Sequence, residues 1–216
     1  VKGQPVSDTN RPADLADAPI SPDLRKALAF VIEVDRLKTV LRRTLIADAS
    51  RHENSAEHSW HVALMALVLA PHAADPGTDI LRSVKMLLCH DIVEADCGDT
   101  FCYDDAGMAL KEEKEQAAAT RLFGLLPAET GAELRTLWDE FEARDTPESR
   151  YANALDRLQP MMLNHCTEGH SWRTHGITAD RVLARNCVIE DGSPDLWAFA
   201  RWLVSDAQQN GWIKAT

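Results

Sequence analysis

His90 and Asp91 close the apolar run from Ile80 to Cys89. Burying an imidazole or a carboxylate without a partner costs roughly 2–7 kcal/mol, so a bound metal ion is the partner to look for. Two further residues stand in similar surroundings. His58 lies shortly before the apolar stretch from Val62 to Leu69, and Asp156 sits in an apolar stretch much later in the chain. Two imidazoles and two carboxylates suit a divalent ion such as Zn, Mn, Fe or Co. Taken singly, each has a plainer reading: a histidine on a core helix also serves as hydrogen-bonded packing, and Asp156 also pairs with Arg157 or a backbone amide.

Glu94 follows Asp91 by three residues, which keeps it near the same helical face if the helix persists. A carboxylate there holds an attacking water or protonates a leaving alkoxide; alternatively it is a surface acid at a frayed helix end. Arg42 and Arg43 precede His58 by sixteen and fifteen residues. Two adjacent cations ending a helix are favoured by its dipole. His61 reads as packing behind His58, and His52 and His72 as surface residues. His165, His170 and His175, interleaved with Trp172, form either a lid or a loop anchor.

Helices must position these groups. Aliphatic residues and Ala are plentiful, and the Val/Ile/Thr alternation of strands is nearly absent. Ser21-Pro22-Asp23, Thr146-Pro147-Glu148 and Ser193-Pro194-Asp195 each combine a capping hydroxyl, a first-turn proline and an acid favoured by the helix dipole. The pattern predicts helices over about 24–41, with Leu24, Leu28, Val31, Val34 and Leu41 near one face, then from about 56 to 70, 79–94, 106–126 and 128–144. Another starts at Pro147, and two more span 179–189 and 194–209. Residues 166–177 read as a loop. In helix 106–126, Lys111-Glu112-Glu113-Lys114-Glu115 reads as a solvated face, with a lysine near its start able to reach a substrate. The expected architecture is all-α, a single-domain helical bundle over 21–216 preceded by a flexible arm over 1–20.

Composition bounds the function. A formal charge of -11 argues against a nucleic-acid polymer as partner. Five cysteines, scattered and without a CxxC pair, argue against a disulfide framework or a structural zinc knuckle and point to the reduced thiols of a cytoplasmic protein. No apolar run approaches the length of a membrane span, and the first residues lack a signal-peptide core.

The ordered set of His58 in Glu57-His58-Ser59, the doublet His90-Asp91, Glu94, the Gly98-Asp99 pair and the distant Asp156 resembles the HD-domain metal-dependent phosphohydrolases, and within them the bacterial 5'-deoxynucleotidase branch. The resemblance covers about residues 24–170. It implies an HD-type bundle in which His58, His90, Asp91 and Asp156 hold one divalent metal ion (Zn, Mn, Co, Fe, Ni or Mg). Glu94 is then the catalytic acid/base or water-orienting group, and Asp99 a substrate-side catalytic contact. Arg43, or its neighbour Arg42, meets the phosphate. Where that branch often carries an aromatic residue after the arginine, this chain has Thr44-Leu45, which weakens the case for base stacking. No histidine lies between His90 and Asp156, so a mononuclear hydrolase is favoured over the dinuclear members. The implied substrate is a small phosphate compound such as a (deoxy)nucleoside 5'-monophosphate, and the resemblance alone implies a homodimer. The alternatives are an alarmone-type pyrophosphohydrolase, disfavoured because Ala95 separates Glu94 from Asp96, and a degenerate HD domain that binds a nucleotide or partner without turnover.

Overall fold

The structure, a computed structural model, describes residues 15–100, 103 and 111–214. Helix α1 (Pro22–Glu33) runs into a 3-10 segment (Val34–Thr39), followed by strands β1 (Leu41–Leu45) and β2 (His52–Asn54). Then come α2 (Ser55–Val68), α3 (Ile80–Cys89), α4 (Glu94–Cys97), α5 (Lys111–Phe123), α6 (Ala128–Ala143), α7 (Pro147–Cys166), α8 (His170–Thr174), α9 (Ala179–Asn186), α10 (Ile189–Gly192) and α11 (Pro194–Gln209). The all-α expectation holds, with one small antiparallel hairpin added.

The three Ser/Thr-Pro-acid signals all open helices. Ser21 Oγ accepts from the Leu24 N–H at 3.2 Å, Thr146 Oγ1 from Ser149 at 3.1 Å, and Ser193 Oγ from Leu196 at 3.1 Å. Such a cap contributes about 1 kcal/mol. At α2 the cap is reciprocal: Asn54 Oδ1 accepts from the Glu57 N–H while the Glu57 carboxylate accepts from the Asn54 N–H. This fixes the first turn of α2, on which His58 stands.

Helix α7 is the axis of the core and packs on α2, α3, α6, α10 and α11. Its Tyr151, Ala154 and Leu155 are fully buried with Val62 and Ala66 of α2 and Met86 and Leu87 of α3. Tyr151 donates its hydroxyl proton to the Ala66 carbonyl at 3.1 Å, so even the polar end of that ring is satisfied. A second cluster gathers Phe30, Ile92, Ala119, Leu122, Phe123 and Trp138. Pro160 lies inside α7; lacking an N–H, it leaves the backbone carbonyl of Asp156 without its helical donor.

Several expected boundaries are corrected. The first helix stops at Glu33 instead of Leu41, because the chain from Leu41 onward pairs with β2, in the register Leu41 with Asn54 and Leu45 with His52. Arg42 and Arg43 therefore sit on a strand, and the helix-dipole reading of them falls. The expected apolar face does not form the core either: Val31 and Leu41 are each 61% exposed, and Phe30 and Leu37 are buried in their place. At its far end α3 tightens after Cys89 into i to i+3 bonds, Ile92 to Cys89 at 3.2 Å and Glu94 to Asp91 at 2.9 Å, so Glu94 opens the short helix α4. Gly98 ends that helix at φ +74°, a conformation that favours glycine, and turns the chain toward Asp99.

Residues 166–177 are not a plain loop, since α8 lies within them. Gly169 permits this: at φ +70° a Cβ there would lie 2.3 Å from the Trp212 carbonyl oxygen. The first part of the expected arm, residues 1–14, lies outside the described residues, as do 106–110 of the expected charged helix and Cys102. Residues 15–20 form turns, held to α1 by Arg25, which donates to the carbonyls of Ala16 and Ala18.

Candidate metal centre

α2, α7 and the end of α3 bring His58, His90 and Asp156 together. One ligand atom from each lies within 4.8 Å of the other two. The tautomers follow from the outer contacts. His90 Nδ1–H donates to the Leu87 carbonyl at 2.8 Å, one turn back on its own helix. Its Nε2 lies 3.1 Å from Asp91 Oδ1 and 3.6 Å from Asp156 Oδ1, buried and without a hydrogen bond among the described residues. His58 Nδ1–H donates to Gln159 Oε1 at 3.1 Å, and its Nε2 lies 3.0 Å from Asp156 Oδ1. Each imidazole thus spends one N–H on a carbonyl and turns the other nitrogen toward one carboxylate oxygen. Only a proton or a metal cation resolves that arrangement, and outer-shell anchoring of this kind is typical of metal-binding histidines.

Asp91 approaches the same point, its Oδ2 4.0 Å from His58 Nε2. It is also tethered: Arg42 Nη1 donates to Asp91 Oδ2 at 3.0 Å, with Arg42 Nε 3.7 Å from Glu53 Oε2. Arg42 is therefore committed to two carboxylates. Arg43 is exposed on β1 and lines the cleft beside the centre, with Asp99, Lys111 and Trp172.

The electrostatics agree. Burial opposes the charged form of His90, yet Asp91 and Asp156 overcome it and push the imidazole up to about 9. Burial and Arg42 both disfavour protonated His58, but Asp156, Glu53 and Asp91 raise it above its ordinary value. Burial would raise Asp156; the hydrogen bonds of His58 and His90 hold it well below the carboxylate range instead. Glu94 goes the other way: burial and Asp91 push its carboxyl well up, while Ser55 Oγ–H donates to its Oε2 at 2.6 Å. Burial also raises Asp99, against the pull of Arg42. Acids outnumber the committed base, and a divalent cation supplies the missing positive charge. The two nitrogens and the carboxylate oxygens fit such an ion.

The structure thus gathers His58, His90, Asp91, Asp156, Glu94 and Arg42, and sets Asp99 and Arg43 along the cleft. It also reveals residues that the sequence reading passed over. Gln159 holds His58 and, through its Nε2, donates to Glu53 Oε1 at 2.6 Å and approaches His61 Nδ1 at 3.2 Å. Its place three residues after Asp156 puts it on the same helical face and was a usable signal. Ser55, three before His58, offered the same signal. Buried Glu53 offered none. Of the late histidines His165 is an anchor, pairing with Asp206 at 2.7 Å and packing on Trp202 and Trp212, whereas Trp172 of the same segment lines the cleft.

The HD domain family model matches residues 34–197, and the chain belongs to that family. It is 29% identical over 139 residues to the 5'-deoxynucleotidase HDDC2 of Homo sapiens, covering 64% of this chain and 66% of that one. Against the HDDC2 of Bos taurus the identity is 30%, again over 64% of this chain and 66% of the relative; the match spans about two thirds of these relatives' length. A crystal structure from Magnetospirillum magnetotacticum MS-1, described as a predicted metal-dependent phosphohydrolase, is 52% identical with a TM-score of 0.85, covering 89% of this chain and 96% of that one. A conserved hypothetical protein from Pyrococcus furiosus, 20% identical over 83% of this chain and 98% of its own at a TM-score of 0.58, shares the fold.

Proposed function

We propose that this HD-domain phosphohydrolase cleaves the phosphomonoester of a small phosphate compound, in the class of (deoxy)nucleoside 5'-monophosphates. His58, His90, Asp91 and Asp156 would hold one divalent metal ion. The observation that carries this reading is the pair of imidazoles, each tied through Nδ1 to a carbonyl and turned through Nε2 onto Asp156 Oδ1. A divalent ion held there would supply Lewis-acid chemistry, polarising a phosphoryl oxygen and lowering the pKa of a coordinated water.

The chain's own residues do the rest. Arg42 holds Asp91 in place through its guanidinium. Glu94, whose carboxyl is pushed up by burial and by Asp91, would donate a proton to the leaving alkoxide oxygen, and the Ser55 hydroxyl would steady the carboxylate that remains. Asp99 accepts from a substrate hydroxyl on the cleft wall, and Arg43 meets the phosphate from the rim. Cytoplasmic residence and pairing with a second copy belong to the same proposal. The free described cysteines and the exposed Trp60, Leu64 and Leu67 of α2 support them, and fractionation and light scattering check them. Among the described residues no helix is long and apolar enough to cross a membrane.

The test is phosphate release from a panel of phosphomonoesters, with Mn, Co, Zn, Ni, Fe and Mg each supplied in turn. Release from at least one nucleoside monophosphate is expected; ligand binding without release under any metal would leave a binding domain. Glu94→Gln is expected to keep its metal, measured by elemental analysis, and to lose about 100- to 1,000-fold in kcat. A wild-type rate in that variant would remove Glu94 from the chemistry.

A further inference from the structure

Beside the metal centre a second cleft opens, and Lys111, Arg157 and Arg185 line both. Arg144 joins them on the far side, and the carboxylates there are Glu112, Glu115 and Glu142. Four cations in one cleft of a chain with net charge -11 are a local reversal of the molecule's field. Among Lys111, Arg144 and Arg157 the pairing is incomplete. Lys111 pairs with Glu115 at 3.2 Å, but Arg144 makes no ion pair among the described residues.

Arg157 is more telling. Its side chain is only 15% exposed, its Nε is buried without a hydrogen bond, and its one ionic approach is 3.8 Å to Asp156 Oδ2. A guanidinium carries five N–H donors, and among the described residues none of those of Arg157 is spent. Burial first, and then the charge of Arg157, also holds Arg144 below its ordinary value.

We propose that this cleft is a second anion subsite, which takes a phosphate other than the one hydrolysed at the metal centre. The preferred substrate is then a small molecule with two separate phosphates, such as a nucleoside 3',5'-bisphosphate. The inference rests on the phosphomonoesterase reading and narrows it. Arg157, next in sequence to Asp156, stands between the two positions and supplies planar paired donors to the second phosphate. Arg144 and Arg185 close over its outer oxygens. The scissile phosphate is left to the metal centre and Arg43.

The experiment compares adenosine 5'-monophosphate with adenosine 3',5'-bisphosphate on the manganese-loaded full chain. The bisphosphate is expected to show a KM about tenfold lower, the worth of about one charge-assisted contact. Arg144→Ala and Arg157→Ala are each expected to collapse that ratio toward one. Equal KM values in the wild type would overturn the subsite. So would variants that weaken both substrates by the same factor, since the cluster would then serve the scissile phosphate. Calorimetric titration of both compounds into wild type and Arg144→Ala separates the two readings. Tighter binding of the bisphosphate, lost in the variant, supports the subsite even if neither compound is hydrolysed, and absent hydrolysis then counts against the hydrolase reading alone.

Discussion

Two ionic clusters in this molecule are built from similar side chains and end differently. On the surface, Arg121 bonds Asp96 at 2.5 and 2.6 Å and Glu33 at 2.6 Å, and Arg36 reaches Glu33 at 2.8 Å and Asp96 at 3.2 Å. Two cations meet two anions and every charge is answered within the chain. In the interior, Asp91, Asp156, Glu53, Glu94 and Asp99 surround one committed guanidinium, with His90 Nε2, Arg42 Nε and Glu53 Oε2 buried and lacking hydrogen bonds among the described residues. The surface cluster is complete as folded. The interior one is complete only with something added, and that incompleteness marks a site where the surface pairs mark none.

The largest effect that would sharpen this contrast is expected from Asp156→Ala. It removes the oxygen on which both imidazoles converge, so metal content falls to background and kcat/KM drops by at least about 1,000-fold. Stoichiometric metal in that variant would break the comparison. Next comes Gln159→Leu, which frees the His58 ring without touching the centre itself. Metal affinity is expected to weaken about 10- to 100-fold, read by competition with a chelator; unchanged affinity would make Gln159 a packing residue.

The smallest effect belongs to the surface. Arg121→Ala is expected to leave turnover unchanged and to cost about 1 kcal/mol or less in urea unfolding, because its side chain is 45% exposed and screened. The hydrogen bonds of Arg121 hold both Glu33 and Asp96 below the usual carboxylate range. Depressed folded-state values give stability that is present above the unfolded carboxylate range, about pH 4, and is lost as pH falls through the folded ones. The gap between wild type and variant should therefore narrow from pH 7 to pH 3. A gap that widens in acid would contradict the assignment.

How much of this was legible in the sequence differs by residue. Ser21, Thr146 and Ser193 announced their helices because capping is a local matter of four consecutive residues. His58, His90, Asp91 and Asp156 were named as a set from their order; the structure places ligand atoms of His58, His90 and Asp156 within 4.8 Å of one another, with Asp91 beside them and bonded to Arg42. The hairpin was not legible: Leu41 to Leu45 lacks strand alternation and becomes a strand only by pairing with residues 52–54. The same partner overrode the helical periodicity of residues 24–41. Glu53 was invisible for a related reason, since Gln159, which bonds it, lies 106 residues away. Arg157 was noticed only as a possible mate for Asp156; its unspent donors are a property of the packed cleft.

Pro160 weakens α7 at the site it serves. An interior proline costs a helix about 3 kcal/mol, and here it falls four residues after Asp156, in α7, and also lines the cleft. Alanine at that position would restore the missing bond to the Asp156 carbonyl and make a more durable protein. The ring thus sets the weakest rung of α7 one turn after Asp156, where the helix meets the cleft.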